Sequence, residues 1–259
     1  MTTMTAISSA MAFEWTKIRT VRATTWSLAL YFLATLAVAL LTGYYLRSSY
    51  DSRDSEALST FDPVAAGFSG LRLGLIALVV FGVLIVTSEY STGTIRTSLA
   101  AVPRRGVFYG AKLLTGTVTA LVVSTVVVTV GFFATQLAMG DPQSVSLLDD
   151  GVLRSLVGAV LYTTLLCVFA MGLASVLRSS ALTMGILVPL FFMISTILTN
   201  LPGVRDVAQF LPDVAGGLIL YRDQPDDTVL NAWTGMAVLG AWAAAAVTAG
   251  YAVSRRRDA

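Results

Sequence analysis

Six uninterrupted apolar runs, each long enough to cross a bilayer, constrain this chain more than any motif it carries. A helix needs about 20 apolar residues to span the hydrocarbon, because each residue rises about 1.5 Å. The runs cover about 24–46, 68–88, 107–137, 152–177, 181–200 and 233–253. Trp26 opens the first, and Tyr44 and Tyr45 close it, as interfacial aromatics do. The third is long enough to tilt or to project into water at one end. Valine-rich stretches such as Val126–Val128 do not turn these runs into strands. A membrane barrel needs alternating segments of about ten residues, whereas these runs are continuous and about twice that length. Charged residues make up 12% of the chain and hydrophobic ones 56%, about half the charge a soluble surface requires. The predicted fold is all-α: one polytopic transmembrane domain over residues 1–259, with lipid as its main solvent.

Basic residues set the expected orientation. With the N-terminus in the cytoplasm and six alternating spans, the inner side receives 11 of the 17 Lys and Arg but three of the 15 Asp and Glu. The outer side receives the remaining six basic and twelve acidic residues. Both termini are therefore expected inside. The Ala-, Val- and Arg-rich composition, with two lysines, points to a GC-rich bacterial genome, and the expected location is the bacterial cytoplasmic (inner) membrane. Residues 1–23 mix Glu14, Lys17, Arg19 and Arg22 with short apolar pieces. That does not fit a cleavable signal, so the first run is expected to remain as an anchor. Ile7, Met11, Trp15 and Ile18 follow helical spacing and predict an interfacial N-terminal helix. Glu14 falls near that apolar face and needs a partner such as Lys17.

The chain lacks the residues of several chemistries. Without histidine there is no imidazole base, proton shuttle or imidazole metal ligand. The single cysteine, Cys167, sits in an apolar run and reads as packing. A phosphate-cradling loop needs Gly-Lys before Ser or Thr, but the two lysines follow Thr16 and Ala111. No nucleotide, metal or other cofactor is therefore expected on this chain, and no catalysis or nucleic-acid partner. Ionisable groups at mid-span are absent. Arg72, Glu89 and Lys112 lie near span ends, where long side chains can reach the interface. This argues against an ion-coupled carrier. Neutral hydroxyls do occur at depth, and their ordinary role is to bond their own helix. Around Pro189, a predicted kink, Ser195, Thr196, Phe191 and Phe192 form a candidate translocation path.

The most informative stretch joins the second and third runs on the expected inner side. It reads Glu89-Tyr90-Ser91-Thr92-Gly93-Thr94-Ile95-Arg96, followed by an apolar piece and Pro103-Arg104-Arg105. Glu89 sits at the membrane exit, and Pro103 ends a predicted short helix with two arginines facing the anionic leaflet. This octapeptide resembles the loop after the second span in permeases of the second class of ATP-binding-cassette exporters. The order of features along the chain is similar too. Glu14 to Arg19 looks like that family's N-terminal connecting helix. Leu201-Pro202-Gly203 and Phe210-Leu211-Pro212 punctuate a segment similar to its re-entrant outer helices.

The resemblance implies a permease subunit working with a separate ATPase, which would hold ATP and Mg, and with a second copy of itself. Cargo would be a drug, lipid-like molecule, peptide or ion moved outward by alternating access. The loop would form a coupling helix in a groove of the ATPase. Gly93 would allow close approach or a tight start to that helix, and Thr92 or Thr94 would cap it. Glu89 and Arg96 would be the polar contacts, with Glu89 tethering the N-terminal helix through Lys17 or Arg19. The alternatives are a secondary carrier and a non-transporting membrane sensor or assembly protein.

Overall fold

The computed structural model describes residues 3–52, 61–94, 105–201, 203–222 and 228–256, and among these every regular element is helical. Helix α1 covers Thr3–Thr20, and α2, Arg22–Ser48, follows after a single extended residue. A short helix, α3, Pro63–Gly67, leads into α4, Ser69–Thr92. The long α5 is Arg105–Met139 and α6 is Val152–Leu177. Helix α7 runs over Ser180–Asn200, then come the short α8, Arg205–Ala208, and α9, Pro212–Gly217. Helix α10, Ala232–Arg256, completes the described chain. Six of these helices (α2, α4, α5, α6, α7 and α10) are long and apolar enough to span a membrane. They fall where the six apolar runs place them, within a few residues at each end.

Packing divides the bundle into a core and a periphery. The apolar stretches of α4 and α6 are 67% and 72% buried, against 22–28% for α2, α7 and α10. Helix α2 lies on α4 and α5, α6 holds α10, and α7 rests on α4 and α6. Small residues permit the closest crossings. A Cβ on Gly70 of α4 would come 2.2 Å from the Thr35 carbonyl oxygen of α2. A Cβ on Gly172 of α6 would lie 2.7 Å from the backbone of Ala246 and Val247 in α10. Such backbone-to-backbone approach is how apolar helices gain contact area in lipid, where water no longer drives them together. The outward faces of α2 (Leu30, Leu33, Leu41) and α7 (Leu182, Met193, Ile197) stay apolar and exposed.

Both ends of the bundle are tied by polar contacts. At the terminal end, Arg105 donates to the Ser254 carbonyl at 3.5 Å and Tyr109 to the Val247 carbonyl at 2.9 Å, joining α5 to the last turns of α10. At the opposite end, Asp62 caps α3 by accepting from the Val64 and Ala65 N–H groups and also accepts from the Arg222 N–H at 2.8 Å. Arg154 donates to the Tyr221 and Arg222 carbonyls. These bonds hold the α9–α10 connection against α6.

Two sequence expectations are corrected. Glu89 and Lys112 do not reach outward to an interface: they are 3% and 4% exposed, inside the protein. Lys112 shares the inward stripe of α5 with Phe108, Thr115 and Thr119, a spacing of three to four residues that turns its side chain to the bundle. The face of α1 also differs. Ile18 is buried, but so is Glu14, while Trp15 is 46% exposed beside Phe13. The face is rotated because Glu14 finds cationic partners inside the bundle. Pro189 does disturb α7, which passes through a π-helical turn at Leu190–Ile194.

Candidate functional site

At the terminal end, α1, α4 and α5 bring four charges together. Lys112 Nζ lies 2.6 Å from Glu89 Oε2 and 3.5 Å from Glu14 Oε1. Lys17 Nζ lies 2.5 Å from Glu89 Oε1 and 3.1 Å from Glu14 Oε2. Each carboxylate therefore contacts both ammoniums, and the cluster is neutral as a whole. The Phe108 ring sits 4.9 Å from Lys112 Nζ, and the Phe13 ring 5.5 Å from Lys17 Nζ. Burial alone would lower the pKa of Lys17; the Glu14 and Glu89 carboxylates outweigh it and hold the ammonium above its ordinary range. A buried ion cluster costs desolvation, and it is held only when each charge is met from several sides.

The predicted loop residues start at this cluster. Glu89 is a member of it, and Tyr90, half-buried, lies under the Arg178 guanidinium at 5.2 Å. Ser91 and Thr92 supply backbone to the last turn of α4. Gly93, with φ 70°, is the left-handed residue that ends α4. Thr94 is exposed, and Ile95 and Arg96 lie outside the described residues. On α1, Glu14 and Lys17 join the cluster. Arg19 does not: it is exposed, 5.6 Å from the Trp15 ring.

The opposite end holds a cavity of about 1090 Å³ between α4, α6, α7 and the α8–α9 segment. Ser195, Thr196, Phe191 and Phe192, the candidate path residues, all line it. Most hydroxyls at depth return to their own helix, such as Thr119 to the Thr115 carbonyl and Thr163 to the Ala159 carbonyl. Ser195 and Thr196 on the cavity wall bond to other elements instead. Ser195 donates to Asp213 Oδ1 at 2.8 Å, and Thr196 accepts from the Arg72 guanidinium at 3.2 Å. Tyr162 donates to the Asp213 carbonyl at 3.2 Å. Burial pushes the Asp213 carboxyl up to about 6, with the Ser195 hydroxyl and the backbone N–H groups of Asp213 and Val214 pulling the other way.

Sequence reasoning missed Arg72 and Asp213 as members of this site. Arg72 was visible as a charge in the first turn of an apolar run. Asp213 follows Pro212 at a helix start, but 141 residues separate it from Arg72, and nothing local joins them.

Fold and sites together define an all-helical protein with six helices fit to cross a membrane, a buried ion cluster at one end and a polar-walled cavity at the other. Comparison with protein-family models and with curated proteins finds no match to this chain.

Proposed function

We propose that the chain is the membrane-spanning permease subunit of an ATP-driven exporter, without an active site of its own. It pairs with a second copy and with a separate ATP-binding subunit, on which ATP and Mg reside. The observation that carries this reading is the Glu14–Lys17–Glu89–Lys112 cluster. It fastens the N-terminal helix to both helices flanking the 93–104 loop, so a push on that loop moves α1, α4 and α5 as one body. A loop built only to join two spans needs no such anchorage. The reading places the terminal end in the cytoplasm of a bacterial cell and the cavity on the outer side. Alternating access then amounts to transferring motion at the loop to the cavity walls.

The test is co-purification from native membranes in mild detergent, with an Arg96→Glu variant alongside. This variant alters the loop and leaves the buried cluster intact. An ATPase that accompanies the native chain and is depleted from a well-folded variant supports the reading. Absence of any ATPase, under conditions that preserve other such complexes, overturns it.

A second reading has one observation in its favour. Asp213 places a carboxyl of raised pKa on the cavity wall, as a proton-coupled carrier would use. It lies against Ser195, five residues from the end of α7 and so about 7.5 Å in, short of mid-span. The carrier reading therefore stands second.

A further inference from the structure

The chemistry of the cavity specifies a class of occupant. Arg72 is exposed on its wall, and among the described residues it makes one hydrogen bond, to Thr196, and no ion pair. Most of its N–H donors are left for something else. Asp213 does not need that guanidinium, because its carboxylate already accepts from the Ser195 hydroxyl and from backbone N–H groups. Arg205 adds a second cationic side chain to the lining. The rest of the wall is apolar, with Phe68, Leu75, Phe191 and Phe192 among its members. At about 1090 Å³, the space exceeds the roughly 300–1,000 Å³ of ordinary drug-sized sites.

We propose that this cavity binds an anionic amphiphile, its head group on the Arg72 guanidinium and Thr196 hydroxyl and its apolar body against Phe68, Leu75, Phe191 and Phe192. As a statement about cargo, the inference rests on the export reading; as a statement about binding, it stands on the cavity alone. A cationic amphiphile fits less well, since the Asp213 carboxylate is already met by the Ser195 hydroxyl and backbone N–H groups, whereas Arg72 has no ion pair among the described residues. The charged and titratable groups that share the described wall with Asp213 are Arg72 from α4, Tyr162 from α6, Arg205 from α8 and Tyr221 beyond α9. The Asp213 carboxyl, raised by burial, is the group on this wall that titrates near neutrality. Its protonation, as pH falls through about 6, removes the one negative charge among the described lining residues. Anion binding is therefore tighter below that pH and weaker above it.

The test uses the purified full chain in uncharged maltoside micelles, with bound adducts counted by native mass spectrometry. The probes are decanesulfonate and decyltrimethylammonium, whose charges do not vary with pH. The expected result is at least about tenfold preference for the sulfonate at about pH 5.5, falling toward about pH 7.5. Arg72→Gln reduces sulfonate binding about tenfold, whereas Arg72→Lys, which keeps the charge, retains most of it. Asp213→Asn binds tightly at both pH values. Equal or stronger binding of the cation would overturn the proposal, as would a folded Arg72→Gln that binds sulfonate like the native chain. Adding phosphatidylglycerol identifies the source. Displacement of the probe assigns the site to a bilayer lipid, and retention assigns it to a free amphiphile, both within the proposed class. No ATPase enters this experiment, so its failure leaves the co-purification result standing, and the reverse also holds.

Discussion

Lys112→Met asks how much of the fold depends on the buried cluster. The substitution keeps an unbranched side chain of similar bulk and deletes an ammonium 2.6 Å from Glu89 and 3.5 Å from Glu14. Two carboxylates, 1% and 3% exposed, must then share Lys17, and a net negative charge remains inside the protein. Removing one partner from a buried pair costs about 3–5 kcal/mol. For a chain of this size, 1 kcal/mol moves the unfolding midpoint by roughly 2–4 °C, so the drop is on the order of 10 °C. Lys112→Met combined with Glu89→Gln restores neutrality, leaving Glu14 with Lys17 at 3.1 Å. The double variant should regain at least about 2 kcal/mol of what the two singles lose together. The assay is thermal unfolding in maltoside micelles at matched scan rates, followed by tryptophan fluorescence. The native cluster should give a midpoint insensitive to alkali over about pH 7–9. Lys17, whose pKa is held above the ordinary value, contributes stability that is complete below its unfolded pKa of 10.5 and lost as pH rises through its folded value. Single losses that add to within about 0.5 kcal/mol in the double variant would refute the reasoning. They would mean that Lys112 and Glu89 are solvated independently of one another.

Two glycines supply further tests by the same assay. Gly172→Ala forces a Cβ to within 2.7 Å of the α10 backbone. It should cost about 1–3 kcal/mol through separation of α6 and α10, with no change of oligomeric state by light scattering, because the crossing is within one chain. A Cβ on Gly93 would meet no atom of the described residues within 4 Å, but φ is 70°, so Gly93→Ala should cost about 1–2 kcal/mol from backbone strain. Gly93→Asn, which tolerates that conformation, should cost measurably less.

The spans were legible because a single local quantity, apolar length, decides them, and α6 even begins and ends at the residues the run predicts. What that quantity leaves out is which way each helix turns. Lys112 lies seven residues into α5, about 10 Å from its start. Its distance from the helix end suggested snorkelling, whereas its register with Phe108 and Thr115 decided the outcome. The α1 face failed for a related reason. Apolar spacing alone favoured Trp15, but two carboxylates and two ammoniums could neutralise each other only if Glu14 turned inward, and that required Glu89 and Lys112, some 75 and 98 residues away. The cavity is likewise a product of long-range pairing. Its two diagnostic hydroxyls sit side by side on α7, Ser195 reaching Asp213 and Thr196 reaching Arg72, and the latter pair is separated by 124 residues in sequence. The cavity's hydroxyl and aromatic lining residues were legible in the sequence; the charges beside them, Arg72 and Asp213, were not.

Helix α4 joins the two ends. It carries Glu89 in the cluster and Arg72 on the cavity wall, seventeen residues or about 25 Å apart. Between them α4 is mostly buried, and Gly82 brings its backbone close enough to Cys167 that a Cβ would meet the carbonyl oxygen at 3.0 Å. A helix packed this tightly transmits displacement rather than absorbing it. Helix α7 is the opposite: sparsely buried, interrupted after Pro189, and π-helical over Leu190–Ile194, where Phe191 and Phe192 face the cavity. Under the export reading, motion entering at the loop root travels along α4 and moves Arg72 against a wall that can yield. The hydrogen bond between Arg72 and Thr196 spans that boundary between the stiff and the compliant helix. The head group proposed to sit there would therefore be held by both, and would feel any relative movement of the two first.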